Sequence, residues 1–180
     1  MIVTVSGEIG AGKSTVAKAL ARALGLRYLS AGEVFREEAY RRGLTLAALG
    51  RLAERDQAID RALDAMQVEA ARGGGVLLDS RLSGWLIDGD LRVWLRAPIG
   101  VRGARVAARD RVPEAQAIEE LRAREDCERR RYRDTYQIDL NDLSRYHVIV
   151  DTSRWSAEEI VEALLLLTRR FQPERLGCPS

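Results

Sequence analysis

The feature that most constrains this chain is its opening. A β-branched run, Ile2-Val3-Thr4-Val5-Ser6, breaks into Gly7-Glu8-Ile9-Gly10-Ala11-Gly12-Lys13-Ser14-Thr15, and an apolar-periodic segment from Ser14 to Leu24 follows. The spacing is G-x-x-x-x-G-K-S between a buried strand and a helix, the context a phosphate-binding loop requires. Glycines let successive backbone N–H groups curl around a phosphate chain, and the helix N-terminus behind them adds partial positive charge. Gly7, Gly10, Ala11, Gly12, Lys13, Ser14 and Thr15 are therefore expected to form a nucleoside triphosphate site. Lys13 would reach the β- and γ-phosphates, and the Ser14 hydroxyl would join the shell of a Mg²⁺ ion. The bland alternative is a strand–helix turn that binds nothing, and it leaves the filled Lys13 and Ser14 positions unexplained.

Beyond the loop, short apolar runs alternate with helical patterns. Strands are expected at Ile2–Ser6, Arg27–Ser30, Val76–Asp79, Leu91–Leu95 and His147–Asp151. Helices are expected at about Lys13–Leu24, Gly32–Arg42, Leu46–Arg55, Ile59–Arg72, Ile99–Asp110, Pro113–Thr135 and Ser156–Phe171. Nearly every strand is followed by a helix, which implies crossovers and a parallel sheet covered on both faces, an α/β fold. One domain over residues 1–171 accounts for this pattern, with a frayed tail at 172–180. The excursion of about 45 residues between the second and third strands is helical throughout and reads as a functional region at 31–72.

Several residues gather where ligands gather in such sheets, beyond the carboxyl ends of the strands. Val76-Leu77-Leu78-Asp79 is an apolar strand ending in a carboxylate, placed to share a metal shell with Ser14. Ser30 and Gly32 follow the second strand, and Arg36 lies one turn further on. A serine helix cap followed by a solvated arginine explains the same residues without a ligand. Arg81 sits just past the third strand, pre-positioned to clamp a phosphate. Arg102, Arg105 and Arg109 recur at helical spacing and form a positive face. Arg124, Glu128 and Arg131 share a face of the next helix, whose stretch 122–133 has almost nothing to bury. Such charge is usually a solvated face; the functional reading is an arginine-rich lid over polyphosphate, spanning about 99–135. Ser153 follows the last strand, near the nucleoside end of the loop's ligand. Trp155 beside it suits either a base cover or an anchor for the final helix.

Composition removes other classes. A hydrophobic fraction of 46% with 31% charged residues is globular, and a net charge of +2 marks neither a nucleic-acid nor a membrane protein. Lys13 and Lys18 are the only lysines among 29 basic residues, so a lysine kept in the loop stands out. Cys127 and Cys178 lack metal-ligand spacing, and His147 reads as a satisfied edge-strand histidine. With the first core strand expected from Ile2, no signal peptide is expected, and no stretch is apolar enough to span a bilayer. The expectation is a cytoplasmic protein, monomeric by default.

With these pieces together, the sequence resembles the nucleoside monophosphate kinases, and most closely the short archaeal-type cytidylate kinases. The resemblance rests on Met1–Gly7, Ser30–Arg36, Ser80–Trp85, Trp94–Pro98, Glu128–Tyr132 and Asp151–Trp155. It implies a P-loop kinase fold, three layers around a five-stranded parallel sheet of order 2-3-1-4-5. It further implies that Ser30, Gly32 and Arg36 contact the acceptor nucleotide and that Arg81 holds its phosphate. Arg124 and Arg131 would bind phosphates from the lid, with Glu128 between them near the sugar or the lid arginines. Arg105, Arg109 and Ser153 would attend the ATP. Bacterial relatives carry an aspartate after the arginine matching Arg81; here the residue is Leu82. Cytosine recognition needs an acceptor for the ring's amine, for which Asp56, Asp60 and Gln67 are candidates. The implied reaction moves the γ-phosphoryl group of Mg·ATP to CMP or dCMP. Rival readings are a P-loop kinase for another acceptor (AMP, UMP or a small metabolite) and an NTP-dependent nucleic-acid binding module.

Overall fold

In the computed structural model, residues 1–169 are described. Five parallel strands run β1 (Ile2–Gly7), β2 (Arg27–Ser30), β3 (Val76–Asp79), β4 (Leu91–Arg96) and β5 (Val148–Asp151), in sheet order β2-β3-β1-β4-β5. The order expected from the resemblance is the order found. The three central strands, β1, β3 and β4, alternate their side chains between two buried faces, while the edge strands β2 and β5 are only partly covered. Val3, Val5, Leu77, Val93 and Leu95 meet Val16, Leu20, Ile160 and Leu164 of helices α1 (Lys13–Leu24) and α8 (Ala157–Thr168). On the other face Val76, Leu78 and Ile87 meet Ala71 and Val68 of α4 (Ala58–Arg72). Being apolar on both faces is what makes these strands continuous hydrophobic runs.

Between β2 and β3 the chain forms α2 (Ala31–Arg41), α3 (Leu46–Arg55) and α4, packed on each other through Ala39, Leu49, Ala53 and Ile59. A short helix, α5 (Ser83–Leu86), follows β3 and was not visible in the sequence, because one turn carries no periodicity. Its Gly84 is obligatory: a Cβ there would lie 2.3 Å from the Tyr146 ring. After β4, helices α6 (Ile99–Asp110) and α7 (Glu114–Tyr136) form a hairpin sealed by Val106, Ala117 and Leu121 against Ile9. His147 precedes β5 rather than opening it, and its ring meets Arg92 at 2.9 Å, satisfied at the strand boundary. The expected last helix is described as far as Thr168, with Ser156 and Glu159 forming a capping box at its start. The remainder of that helix and the expected frayed tail, 172–180, lie outside the described residues.

Candidate active site

The loop after β1 takes the shape its glycines permit. Gly7, Gly10 and Gly12 have φ of 146°, 80° and 85°, a region closed to most side chains. At Gly7 a Cβ would also strike the Leu95 carbonyl oxygen at 2.1 Å, so β1 and β4 pair closely here only because the residue is glycine. Gly12 stands at the N-terminus of α1 without a side-chain cap, leaving that helix end's N–H groups to an anion. Lys13 donates from Nζ to the Glu8 carbonyl at 2.8 Å, across the mouth of the loop. Burial pushes its ammonium down to about 8; Arg81 and Arg124 act in the same direction, against Asp79 and Glu128. A lysine so placed is a desolvated charge short of anionic partners.

Ser14 and Asp79 meet as the sequence suggested. The Ser14 hydroxyl donates to Asp79 Oδ2 at 2.7 Å, joining the start of α1 to the end of β3. Tyr28 was missed by the sequence reading. Its hydroxyl donates to the same oxygen at 2.8 Å, and burial with the adjacent Asp79 carboxylate raises its pKa. β2 pairs with β3 in register, Tyr28 opposite Leu77 and Ser30 opposite Asp79, which sets the phenol beside the carboxylate. A hydroxyl and a carboxylate are the hard oxygen donors that Mg²⁺ takes together with substrate phosphates, so the pair fits that ion.

The arginines divide into two groups. Arg81 lies beside the loop: Nη1 donates to the Gly7 carbonyl at 2.5 Å and Nε to Glu128 at 2.7 Å. Arg131, one turn beyond Glu128 on α7, forms a buried ion pair with Asp60 of α4 at 2.8 Å and reaches the Gly50 carbonyl at 3.5 Å. Burial raises the Asp60 carboxyl to about 6, against the pull of Arg131. Arg124 is half-buried, and its charge is felt at both Lys13 and Asp110. The stretch 122–133 is thus not the unburied face expected: Glu125, Arg131 and Tyr132 are buried. A charge pattern cannot distinguish pairing with solvent from pairing with another element.

The expected face of Arg102, Arg105 and Arg109 is also corrected. Arg102 is buried; it donates to the carbonyls of Ala97 and Ile9 and to Glu125 at 2.6 Å, with Glu8 3.2 Å away. It is a tie between the loop, α6 and α7, not a charge offered to a ligand. Arg105 donates to the Thr152 hydroxyl and carbonyl at 2.9 and 2.7 Å, and that hydroxyl donates to the Ala11 carbonyl at 3.0 Å. Thr152 is therefore the residue that reaches the loop from β5. Ser153, the residue expected there, is exposed and donates to its neighbour Asp151 at 2.6 Å. Arg109 is exposed and paired with Asp110 at 2.7 Å. Trp155 is 58% exposed at the start of the turn into α8.

On the other side of the loop, the Ser30 hydroxyl caps α2 by accepting from the Glu33 N–H at 3.2 Å. Gly32 is exposed, and Arg36 curls back over it, its Nη1 lying 3.5 Å from where a Cβ of residue 32 would stand. Asp56 accepts from the Ala58 N–H at 3.0 Å as an exposed cap, leaving Asp60 and Gln67 as the inward-facing members of the three cytosine candidates. The molecule thus carries a glycine-lined loop at a helix N-terminus with a lysine and a hydroxyl–carboxylate pair, flanked by guanidinium groups from the end of β3 and from α7. Among the described residues no helix is long and apolar enough to cross a membrane, and no group of three or more His, Cys, Asp or Glu residues is arranged to hold a metal alone.

Comparison with known proteins gives concordant results. A family model described as the cytidylate kinase-like family matches residues 2–154. A cytidylate kinase of Methanocella arvoryzae is 47% identical over 161 residues, covering 89% of this chain and 92% of that protein. A cytidylate kinase of Methanothrix thermoacetophila is 43% identical, covering 96% of this chain and all of that protein. Among solved structures, a shikimate kinase from Acinetobacter baumannii superposes with a TM-score of 0.60 at 17% identity, covering 96% of this chain and 95% of its own. A deoxyadenosine kinase from M. mycoides gives a TM-score of 0.60 at 16% identity over 94% of this chain and all of its own. These structures share the fold.

Proposed function

Since the chain belongs to the cytidylate kinase-like family, we propose that it transfers the γ-phosphoryl group of ATP to the phosphate of CMP or dCMP, giving ADP and CDP or dCDP. The observation that carries the reading is the seat of Arg81. Its guanidinium is fixed on the Gly7 carbonyl at the mouth of the loop, between Lys13 and the arginines of α7. A donor polyphosphate and an acceptor phosphate meeting there bring several negative charges into one cleft. A desolvated lysine and converging guanidinium groups are the complement to that charge.

The loop from Gly7 to Thr15 binds the donor's phosphates through its N–H groups, with Lys13 on the β- and γ-phosphates. Arg105, through Thr152, and Arg109 border the donor's nucleoside side, and Ser153 lies at its rim. Ser14 and Asp79 would hold Mg²⁺, which when bound neutralises charge on the donor phosphates. Helices α2–α4, residues 31–72, form the acceptor region: Ser30, Gly32 and Arg36 at its entrance, Asp60 within it, and Arg81 on the acceptor phosphate. The α6–α7 hairpin, about 99–135, acts as the lid, presenting Arg124 and Arg131 with Glu128 between them. On this account Arg81 and Arg131 exchange Glu128 and Asp60 for phosphate oxygens when the acceptor enters.

The attacking atom needs no general base. An acceptor phosphate has a second pKa of about 6 and is mostly dianionic at neutral pH. Lys13, Arg81, Arg124 and Arg131 work by alignment and charge stabilisation. We place the reaction in the cytoplasm and expect a monomer. The test is a coupled ADP-release assay with ATP against CMP, dCMP, UMP, AMP and shikimate. CMP and dCMP leading AMP by a wide margin is the expected result; phosphorylation confined to another acceptor overturns the assignment.

A further inference from the structure

The inner face of α4 carries polar residues where a packed helix would ordinarily carry a hydrophobic stripe. Asp60, Asp64 and Gln67 recur at i, i+4 and i+7, so they share one face. They extend a polar line that starts at the phosphate loop: Lys13, then Arg81 paired with Glu128, then Arg131 paired with Asp60. Seven residues at about 1.5 Å each place Gln67 roughly 10 Å along α4 from Asp60, comparable to the reach of a nucleotide from phosphate to base edge. The line therefore runs from where phosphates meet to where a base would lie.

At its end the hydrogen bonds are arranged in one sense. Tyr136 of α7 donates its hydroxyl to Asp64 Oδ2. The other Asp64 oxygen accepts from the Gln67 amide Nε2 at 3.1 Å, and the Leu63 carbonyl accepts from the same nitrogen at 3.4 Å. Two acceptors at that position fix which end of the amide is nitrogen. The Gln67 carbonyl Oε1 is left pointing away, buried and without a partner, in a residue 1% exposed. A buried acceptor without a donor is costly unless something arrives to fill it. Cytosine carries a donor at its 4-position, the amine, where uracil carries an acceptor. An amide locked with its oxygen forward accepts from the first and repels the second.

Resting on the reading of this chain as a kinase of cytidine monophosphates, we propose that Gln67 reads the 4-amino group of the cytosine ring, with Asp64 and Tyr136 as positioning residues that lock its amide. The base reaches Gln67 as α4 and α7 part. Tyr136 gates that movement, since its bond to Asp64 ties the two helices directly.

The experiment measures kcat/KM for CMP and UMP, and KM for ATP, in the wild type, Gln67→Met and Tyr136→Phe. Gln67→Met removes the acceptor at similar length; Tyr136→Phe leaves the amide but frees Asp64, so the amide can turn its N–H forward. The CMP:UMP ratio should fall about tenfold or more in both, with KM for ATP unchanged. A purely structural role would lower both activities together and keep the ratio. A wild type that prefers CMP, with the ratio preserved in the variants, overturns this inference and leaves the kinase assignment standing. A wild type that ignores CMP removes that assignment and this inference with it. Should Gln67→Met fail to fold, the ratio in Tyr136→Phe decides.

Discussion

The buried tie at Arg102 offers a sharp test of how the α6–α7 hairpin is held. Its guanidinium meets Glu125 at 2.6 Å with both side chains nearly enclosed, while Glu8 stands 3.2 Å away and is partly solvated. Removing one partner of a buried pair costs about 3–5 kcal/mol, because the remaining charge is left desolvated. Glu8 and the two carbonyls that Arg102 already bonds absorb part of that, so Glu125→Ala should cost about 3 kcal/mol, the lower end of that range. In a chain of 180 residues each kcal/mol moves Tm by roughly 2–4 °C, giving a fall of about 6–12 °C. Urea unfolding followed by circular dichroism, with calorimetry for Tm, reads both quantities. Replacing the pair together, Arg102→Met with Glu125→Leu, should recover most of the loss, since no buried charge is then stranded. A Glu125→Ala cost below about 1 kcal/mol, or a double variant as unstable as the single, would refute the argument that pairing is what permits charge inside α7.

Other expectations follow from the loop and its neighbours. Lys13→Ala should lower turnover by about two orders of magnitude or more while leaving the unfolding midpoint close to wild type, because Lys13 contributes one hydrogen bond to the fold; near-normal kcat would contradict its role. Because the Lys13 ammonium titrates at about 8, its positive charge is present below that pH and lost above it, so kcat/KM for ATP should decline through pH 8 to 9. A profile flat to pH 9.5 would mean that the charge is not needed in the free enzyme. Asp79→Asn should raise the Mg²⁺ concentration needed for half-maximal activity severalfold and weaken Mn²⁺ binding in the complex with ATP, read by paramagnetic resonance. Thr152→Val should raise KM for ATP a few-fold and cost about 1 kcal/mol of stability, as the Ala11 carbonyl and Arg105 lose a shared partner; unchanged values in both would assign Thr152 no part in shaping the loop.

Much of this was legible in the sequence, for identifiable reasons. The loop announces itself because a required backbone path forces glycines at fixed spacing. Asp79 is legible because an apolar strand ending in a carboxylate gains meaning beside a complete phosphate loop, where a metal shell would need an acid. The parallel sheet is legible in strands that are apolar on both faces. What escaped was determined by contact between distant segments. Arg102 and Glu125 lie 23 positions apart on different helices, and each alone looks like a solvated charge. Tyr28 reaches Asp79 only because β2 and β3 pair in a particular register. Thr152 and Ser153 are adjacent hydroxyl residues, and the direction of the chain leaving β5 decides which one meets Ala11. The polar face of α4 was partly visible as Asp60 and Gln67, but the role of Asp64 depends on Tyr136, 72 positions away.

The central claim is that two nucleotides lie phosphate to phosphate in one cleft. The most direct measurement is calorimetric titration with a bisubstrate analogue in which adenosine and cytidine are joined through five phosphates. The account predicts one analogue per chain, bound far more tightly than ATP or CMP alone, with affinity falling in Lys13→Ala and in Arg81→Ala alike. An analogue bound no more tightly than ATP, and indifferent to Arg81, would contradict it.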